Sequence, residues 1–175
     1  MDVLRPFGER PVIVKDFVKS RKHEWFEACY IPSAADQAAI ERVVRRFLQL
    51  QAEDLNKGLV FREFVEFEPL AIHSKSGMPL TREYRLFVLD GQVILAAPYW
   101  EEGEYADDEG AQPPLEAFHA LTRNVQSRFF TMDVARRKSD GVWLIVELGD
   151  GQVAGLPERA EKEAFYRALA DRVRE

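Results

Sequence analysis

Two β-rich runs, FFTMDVA (129–135) and VWLIVE (142–147), stand on either side of Asp140-Gly141, and this arrangement constrains the chain more than any other feature. Asp-Gly between such runs is a strong short-range hairpin signal. The hairpin would carry Asp133, Glu147 and, just beyond, Asp150 on paired strands. Carboxylates brought together in this way repel one another unless a cation lies between them. Hard ions such as Mg²⁺ favour oxygen ligands and usually bridge to a phosphate-bearing substrate. A nucleotide–metal site is therefore expected, and an empty site would be held under repulsion. For Asp133 and Glu147 the plainer alternative is a pair of solvent-facing hairpin acids. For Asp150, before Gly151, it is ordinary turn chemistry.

The length of 175 residues suits one domain, or two small lobes, with a real core. No apolar run approaches the ~20 residues that span a bilayer, and MDVLRPFGERP is too charged for a signal peptide. A lone Cys29 excludes an internal disulfide framework and suits a reducing cytoplasm. One cysteine and three scattered histidines make a Cys/His zinc site a poor expectation. The net charge of −6 is uneven: residues 51–118 hold five Lys/Arg against fourteen Asp/Glu, much of the acid in EEGEYADDEG (101–110), which reads as a solvated loop. No broad basic surface for duplex nucleic acid is evident.

The remaining elements follow from periodicity and punctuation. PVIVKDF (11–17) reads as a strand, and residues 33–55 as a helix capped by Ser33, with apolar Ile40, Val43, Val44, Phe47, Leu48 and Leu50, stopped by Asn56-Lys57-Gly58. LVFREFVEF (59–67) alternates as a strand, and residues 81–100 form a hairpin turning at Asp90-Gly91. Residues 113–128 and 157–175 read as helices, the second with Phe165, Ala168, Leu169 and Val173 on one face. This order lacks regular βαβ alternation, so the expected class is α+β with antiparallel sheets and flanking helices.

Several residues within these elements could carry chemistry. Lys15 lies in an apolar strand, where a lysine is costly without a partner; it is either a phosphate ligand or an edge lysine reaching solvent. Lys19, Ser20, Arg21 and Lys22 follow, as a phosphate-covering loop would require. In FREFVEFEPL, a strand leaving into an irregular segment offers backbone groups to a base edge, and a nearby Glu could accept from ribose hydroxyls; the bland alternative is solvent-facing acids. Arg85, in REYRLF, could stabilise charge on a transferring phosphoryl group or simply bridge across strands. Neither a P-loop nor a dinucleotide fingerprint is present, and no Ser/His/Asp or Cys/His set stands at recognisable spacing.

In this order, VIVKDFVKS, FREFVEF, REYRLFVLDGQV, F-x-x-D-V-A and VELGDGQ together resemble the nucleotide-binding part of the ATP-grasp superfamily, over residues 11–157, and in particular its short bacterial and phage-associated members. The resemblance implies a nucleotide cleft with ATP gripped between the Lys15 strand and the 129–152 hairpin. Lys15, with Lys19, would contact ATP phosphate, Glu63 and Val65 would offer backbone groups to adenine, and Glu66 or Glu68 would lie near ribose. Arg85 would serve the phosphates or an acyl-phosphate, and Asp133 and Glu147 would hold Mg²⁺. Gly149 stands where many members carry an asparagine ligand, which leaves Asp150 as the substitute. The implied reaction is ATP- and Mg²⁺-dependent carboxylate–amine (or thiol) ligation through an acyl-phosphate, on a small molecule or peptide. Residues 1–175 would form one unit, with lobes dividing at 66/67 and without the N-terminal domain of larger members, whose part a homo-oligomer or partner protein would take. The competing readings are a non-catalytic nucleotide-binding or interaction module, and a nucleic-acid ligase-like protein adenylated on Lys15. The latter chemistry expects Lys-x-Asp-Gly, whereas Lys15-Asp16-Phe17-Val18 stands here.

Overall fold

The computed structural model describes residues 2–105 and 112–173. Residues 106–110 of the acidic run and the side chain of Val173 therefore lie outside the described residues. The chain divides into two compact units, Met1–Val65 with Ile72–Pro79, and Glu66–Ala71 with Leu80–Glu175.

The first unit is built on β1 (Val12–Lys15), flanked by β2 (Tyr30–Ile31) and β3 (Val60–Glu63), all antiparallel. Strand alternation sends Val12 and Val14 to one face, where Ile31 and Phe61 join them. The long helix α1 (Gln37–Gln51) covers that face with Ala39, Ile40, Val43 and Phe47. Fully burying a side chain such as that of Ile40, Val43 or Phe47 is worth about 1.5–3 kcal/mol. The helix starts later than its sequence suggests. Asp36 is the cap, accepting from Ala39 N–H at 3.0 Å, while the Ser33 hydroxyl accepts from Ala35 N–H. It also ends earlier, where Ala52 turns the chain with a φ of 44°. The strand expected over 59–67 stops at Glu63. Phe64 N–H still donates to Pro11 in this unit, but Glu68 N–H donates to Arg136, and Glu66 C=O accepts from Lys138, in the second.

β4 (Pro69–Ile72) and β5 (Pro79–Thr81) form a two-stranded ribbon where the chain passes between the units. The second unit is a four-stranded antiparallel sheet made of β6 (Glu83–Leu89), β7 (Gln92–Pro98), β8 (Phe129–Arg136) and β9 (Trp143–Asp150), in the order β7-β6-β8-β9. Helices α2 (Leu115–Thr122) and α3 (Lys162–Val173) complete it, and α2 is shorter than its 113–128 pattern. One sheet face carries Tyr84, Leu86, Val88, Phe130, Met132 and Val134 against Phe118 of α2. On the other face Phe165 of α3 packs on Phe87 and Phe129, and Ala168 and Leu169 are half-buried. The first hairpin turns on two residues with positive φ, Asp90 (49°) and Gly91 (77°), as a two-residue type I′ loop demands. The second is looser: Arg137 N–H donates to Val142 C=O, so four residues form its loop. A β-bulge interrupts the β8–β9 ladder, with Asp133 opposite Glu147 but Val134 opposite Ile145, leaving Val146 as the extra residue.

Candidate functional site

In the second unit, cross-strand register decides which side chains meet. Arg85 on β6 lies opposite Asp133 on β8, and Asp133 lies opposite Glu147 on β9. Directly opposed residues share a face, so all three project from the face away from α2. The Asp133 carboxylate is 2% exposed and receives both Arg85 Nε and Nη2, each at 2.8 Å. Arg85 Nη1 donates to Gly155 C=O at 3.1 Å, and the guanidinium stacks 4.6 Å from the Tyr99 ring centroid. Burial pulls the Arg85 pKa down, but the bonds and charge of Asp133 more than offset this and hold it above its ordinary value. The expected repulsion in an empty site is thus absent at Asp133, because Arg85 already supplies the cation.

Glu147 is exposed and carries no ion pair among the described residues. Asp150 is elsewhere: it opposes Phe130, and alternation turns it to the face opposite that of Asp133 and Glu147. Its Oδ1 accepts from Gln152 N–H at 2.8 Å, as in the turn reading of Asp-Gly. Gly149 has a steric reason. A Cβ there would stand 2.7 Å from the Thr131 hydroxyl, so a longer side chain at 149 is excluded while Thr131 keeps its place. Among the described residues no group of three metal-ligating side chains assembles. Mg²⁺ does not need one, since it is commonly held by one or two carboxylates together with substrate phosphates and water. Each Asp133 oxygen has a lone pair left after accepting from Arg85. The pair Asp133 and Glu147 therefore fits an ion delivered with a nucleotide, and Asp150 is not positioned to join them.

The proposed ribose acids also separate. Glu66 is exposed and pairs with Lys138 at 3.0 Å. Glu68 is already engaged, accepting from Arg136 at 2.9 Å and facing Arg82 at 3.9 Å.

In the first unit, Lys15 ends β1 on the face opposite α1, half-buried and directly across from Val60. Ile13, Tyr30 and Arg62 share that face. Next to them Trp25 stacks on Tyr30 (5.4 Å), and Phe64 meets both edge-on. Cationic and aromatic side chains thus share one surface, which suits phosphate and a base respectively. Glu63 points the other way and pairs with Arg10 at 2.6 Å, while Val65 follows the end of β3. Lys19 is exposed on the loop after β1. Lys57, with a φ of 61°, brings its ammonium 5.7 Å from the Phe17 ring centroid on the same loop. The sequence marked Lys57 only as part of a helix stop.

Sequence reasoning also passed over Asp16, which is completely buried. Its Oδ1 accepts from Val18 and Lys19 N–H, and its Oδ2 from Gln51 Nε2 (2.6 Å) and Asn56 N–H (3.2 Å). Burial pushes its pKa up, but these donors overcome that and bring it to about 2. A polar strand end followed by turn residues was the only available signal. Cys29, by contrast, is a buried thiol pushed up to about 12 by desolvation, which suits packing rather than chemistry.

A family model described as an ATP-grasp domain, the third family of its clade, matches residues 6–169. Among solved structures, Cdc123 from Schizosaccharomyces pombe shares the fold at a TM-score of 0.55 and 11% identity, over 97% of this chain and 70% of that one. The ATP-grasp ligase PsnB, complexed with precursor peptide PsnA2 and AMPPNP, matches at a TM-score of 0.43 and 17% identity, over 86% of this chain and 40% of that one. This chain therefore spans less than half the length of that ligase. No curated protein matches it.

Proposed function

The chain belongs to this family of ATP-grasp domains, and from that premise we propose that it is an ATP-dependent ligase that joins a carboxylate to an amine or thiol. The observation that carries this reading is Arg85 fixed against Asp133, with Glu147 beside them on one sheet face. In the proposed reaction a substrate carboxylate oxygen attacks the γ-phosphorus of ATP and ADP leaves. The nucleophile then attacks the acyl carbon, phosphate leaves, and the nucleophile's proton passes to solvent. Positioning and charge neutralisation supply most of the catalysis in phosphoryl transfer, so no protein nucleophile is required.

Lys15 and Lys19 neutralise the phosphates, and the backbone of Glu63 and Val65 offers the base its hydrogen bonds. Glu66 serves the ribose, since Glu68 is already spent on two arginines. Arg85 has five N–H donors and uses three on Asp133 and Gly155, so two are left for a phosphoryl or acyl-phosphate oxygen. Asp133 and Glu147 would hold Mg²⁺, which would supply charge neutralisation at the phosphates. The substrate is a small-molecule or peptide carboxylate.

Thermal melts with and without Mg-ATP test the site. Mg-ATP should raise the melting temperature of the wild type and do so less in Glu147→Gln, because ligand that binds the native state stabilises it by mass action. An equal shift in both proteins would make Glu147 an ordinary hairpin acid. A non-catalytic nucleotide-binding module is the second reading, favoured by the bidentate hold that already neutralises Asp133. ADP release that depends on an added carboxylate and amine separates the two, and a stable adenylyl adduct on Lys15 by intact mass would point instead to nucleotidyl transfer.

A further inference from the structure

Asp16 is a completely buried carboxylate that the proposed chemistry does not use. Its four donors come from three places in the sequence: the loop after β1, the last turn of α1 and the 56–58 corner. The loop closes on itself, because Asp16 N–H donates to Lys19 C=O at 3.0 Å and Ser20 bridges back to Lys15. Phe17 and Val18 are left more than half exposed at the tip. Two large apolar side chains in water are an unfavourable resting arrangement for a loop free to rearrange, so something must enforce it. Without the Asp16 oxygens, the Val18 and Lys19 amides would lose the acceptor that fixes their direction.

We propose that Asp16 is a positioning residue, which holds the 17–20 loop in advance so that Lys15 and Lys19 are presented to the nucleotide's phosphates. This rests on the ATP-binding reading above. The carboxylate does not oppose a phosphate in this role, because both its oxygens are enclosed by donors from the protein. Holding the loop beforehand removes its ordering cost from the binding step.

The test compares ATP with adenosine, which shares the base and ribose but lacks phosphate. Titration calorimetry of the wild type should show ATP binding more tightly than adenosine. In Asp16→Asn that preference should shrink at least tenfold while adenosine affinity is unchanged. A merely structural role would weaken both ligands alike, and that result, or an unchanged preference in a folded variant, overturns the proposal. Asp16→Ala, which removes both acceptor oxygens, should shrink the preference at least as much. A folded Asp16→Ala variant that keeps the wild-type preference also overturns the proposal. Amide hydrogen exchange of the nucleotide-free wild type applies even if the variants do not fold. Val18 and Lys19 should exchange at least tenfold more slowly than exposed loop amides, and equal rates would overturn the proposal. A wild type that binds neither ligand instead defeats the ATP reading itself.

Discussion

Among the described residues the two units each bury one aspartate, and they do it in opposite ways. Asp16 is surrounded by neutral donors, two loop amides, a side-chain amide and a further backbone N–H. Asp133 is gripped by one ionised partner, Arg85, through two parallel bonds. Neutral dipoles built into the backbone cannot leave without unfolding the loop, so Asp16 is permanently engaged. A guanidinium on a side chain can turn away or share its carboxylate with another cation, so Asp133 is held in a form that can be exchanged. Burial alone does not distinguish a fixed carboxylate from an exchangeable one; the kind of partner does.

The largest expected effect breaks the permanently engaged side. Asp16→Ala should cost about 3–4 kcal/mol in urea unfolding, because it strands the Gln51 amide and Asn56 N–H in the interior. Asp133→Leu should cost about 3 kcal/mol by leaving the Arg85 charge partly buried without its partner. Adding Arg85→Met should recover stability to within about 1 kcal/mol of the wild type, since replacing both members of such a pair by apolar groups is often nearly neutral. A double variant no better than the single one would mean that Asp133 is held as firmly as Asp16.

Acid sharpens the contrast. The folded pKa of Asp16 lies below that of an unfolded aspartate, so its stabilisation is complete above about pH 4 and is lost as the pH falls towards about 2. Acid unfolding followed by exchange of the Val18 amide should show this slope, and Asp16→Asn should lack it. The smallest effect belongs to Glu147→Gln. With no ion pair to lose among the described residues, it should change ligand-free stability by less than about 0.5 kcal/mol, whereas a loss above 1 kcal/mol would reveal an unsuspected structural role.

The strands were legible because alternation and Asp-Gly turns are local signals. Asp90-Gly91 formed the expected two-residue loop because both residues adopt positive φ. At Asp140-Gly141 only the glycine does, and the Asp140 carboxylate instead binds Arg137 and Val142 N–H, which widens the loop. Ser33 and Asp36 were both able to cap α1, and no sequence rule ranks them once the Ser33 hydroxyl has an alternative donor in Ala35. The candidate site was legible in part: Arg85, Asp133 and Glu147 do come together. That Arg85 already holds Asp133 depends on a pairing 48 residues apart. The burial of Asp16 depends on Gln51, 35 residues away. Neither long-range partner announces itself locally.

The bulge at Val146 has a consequence for comparing related chains. A relative one residue shorter between Leu144 and Glu147 keeps the rest of the strand in place: the pairings of Leu144 with Ala135 and of Glu147 with Asp133 are those of a ladder in which one residue, not two, faces Val134. A gap drawn outside that interval would shift the residues between it and the bulge by one position and exchange their faces. Drawn at Glu147 or later it would place that acid's counterpart in the Val146 column, and drawn at Trp143 or earlier it would displace the counterpart of Trp143. In this strand, gap placement therefore decides which residue of a relative is read opposite Asp133, and a misplaced gap would deny it an acid that it shares.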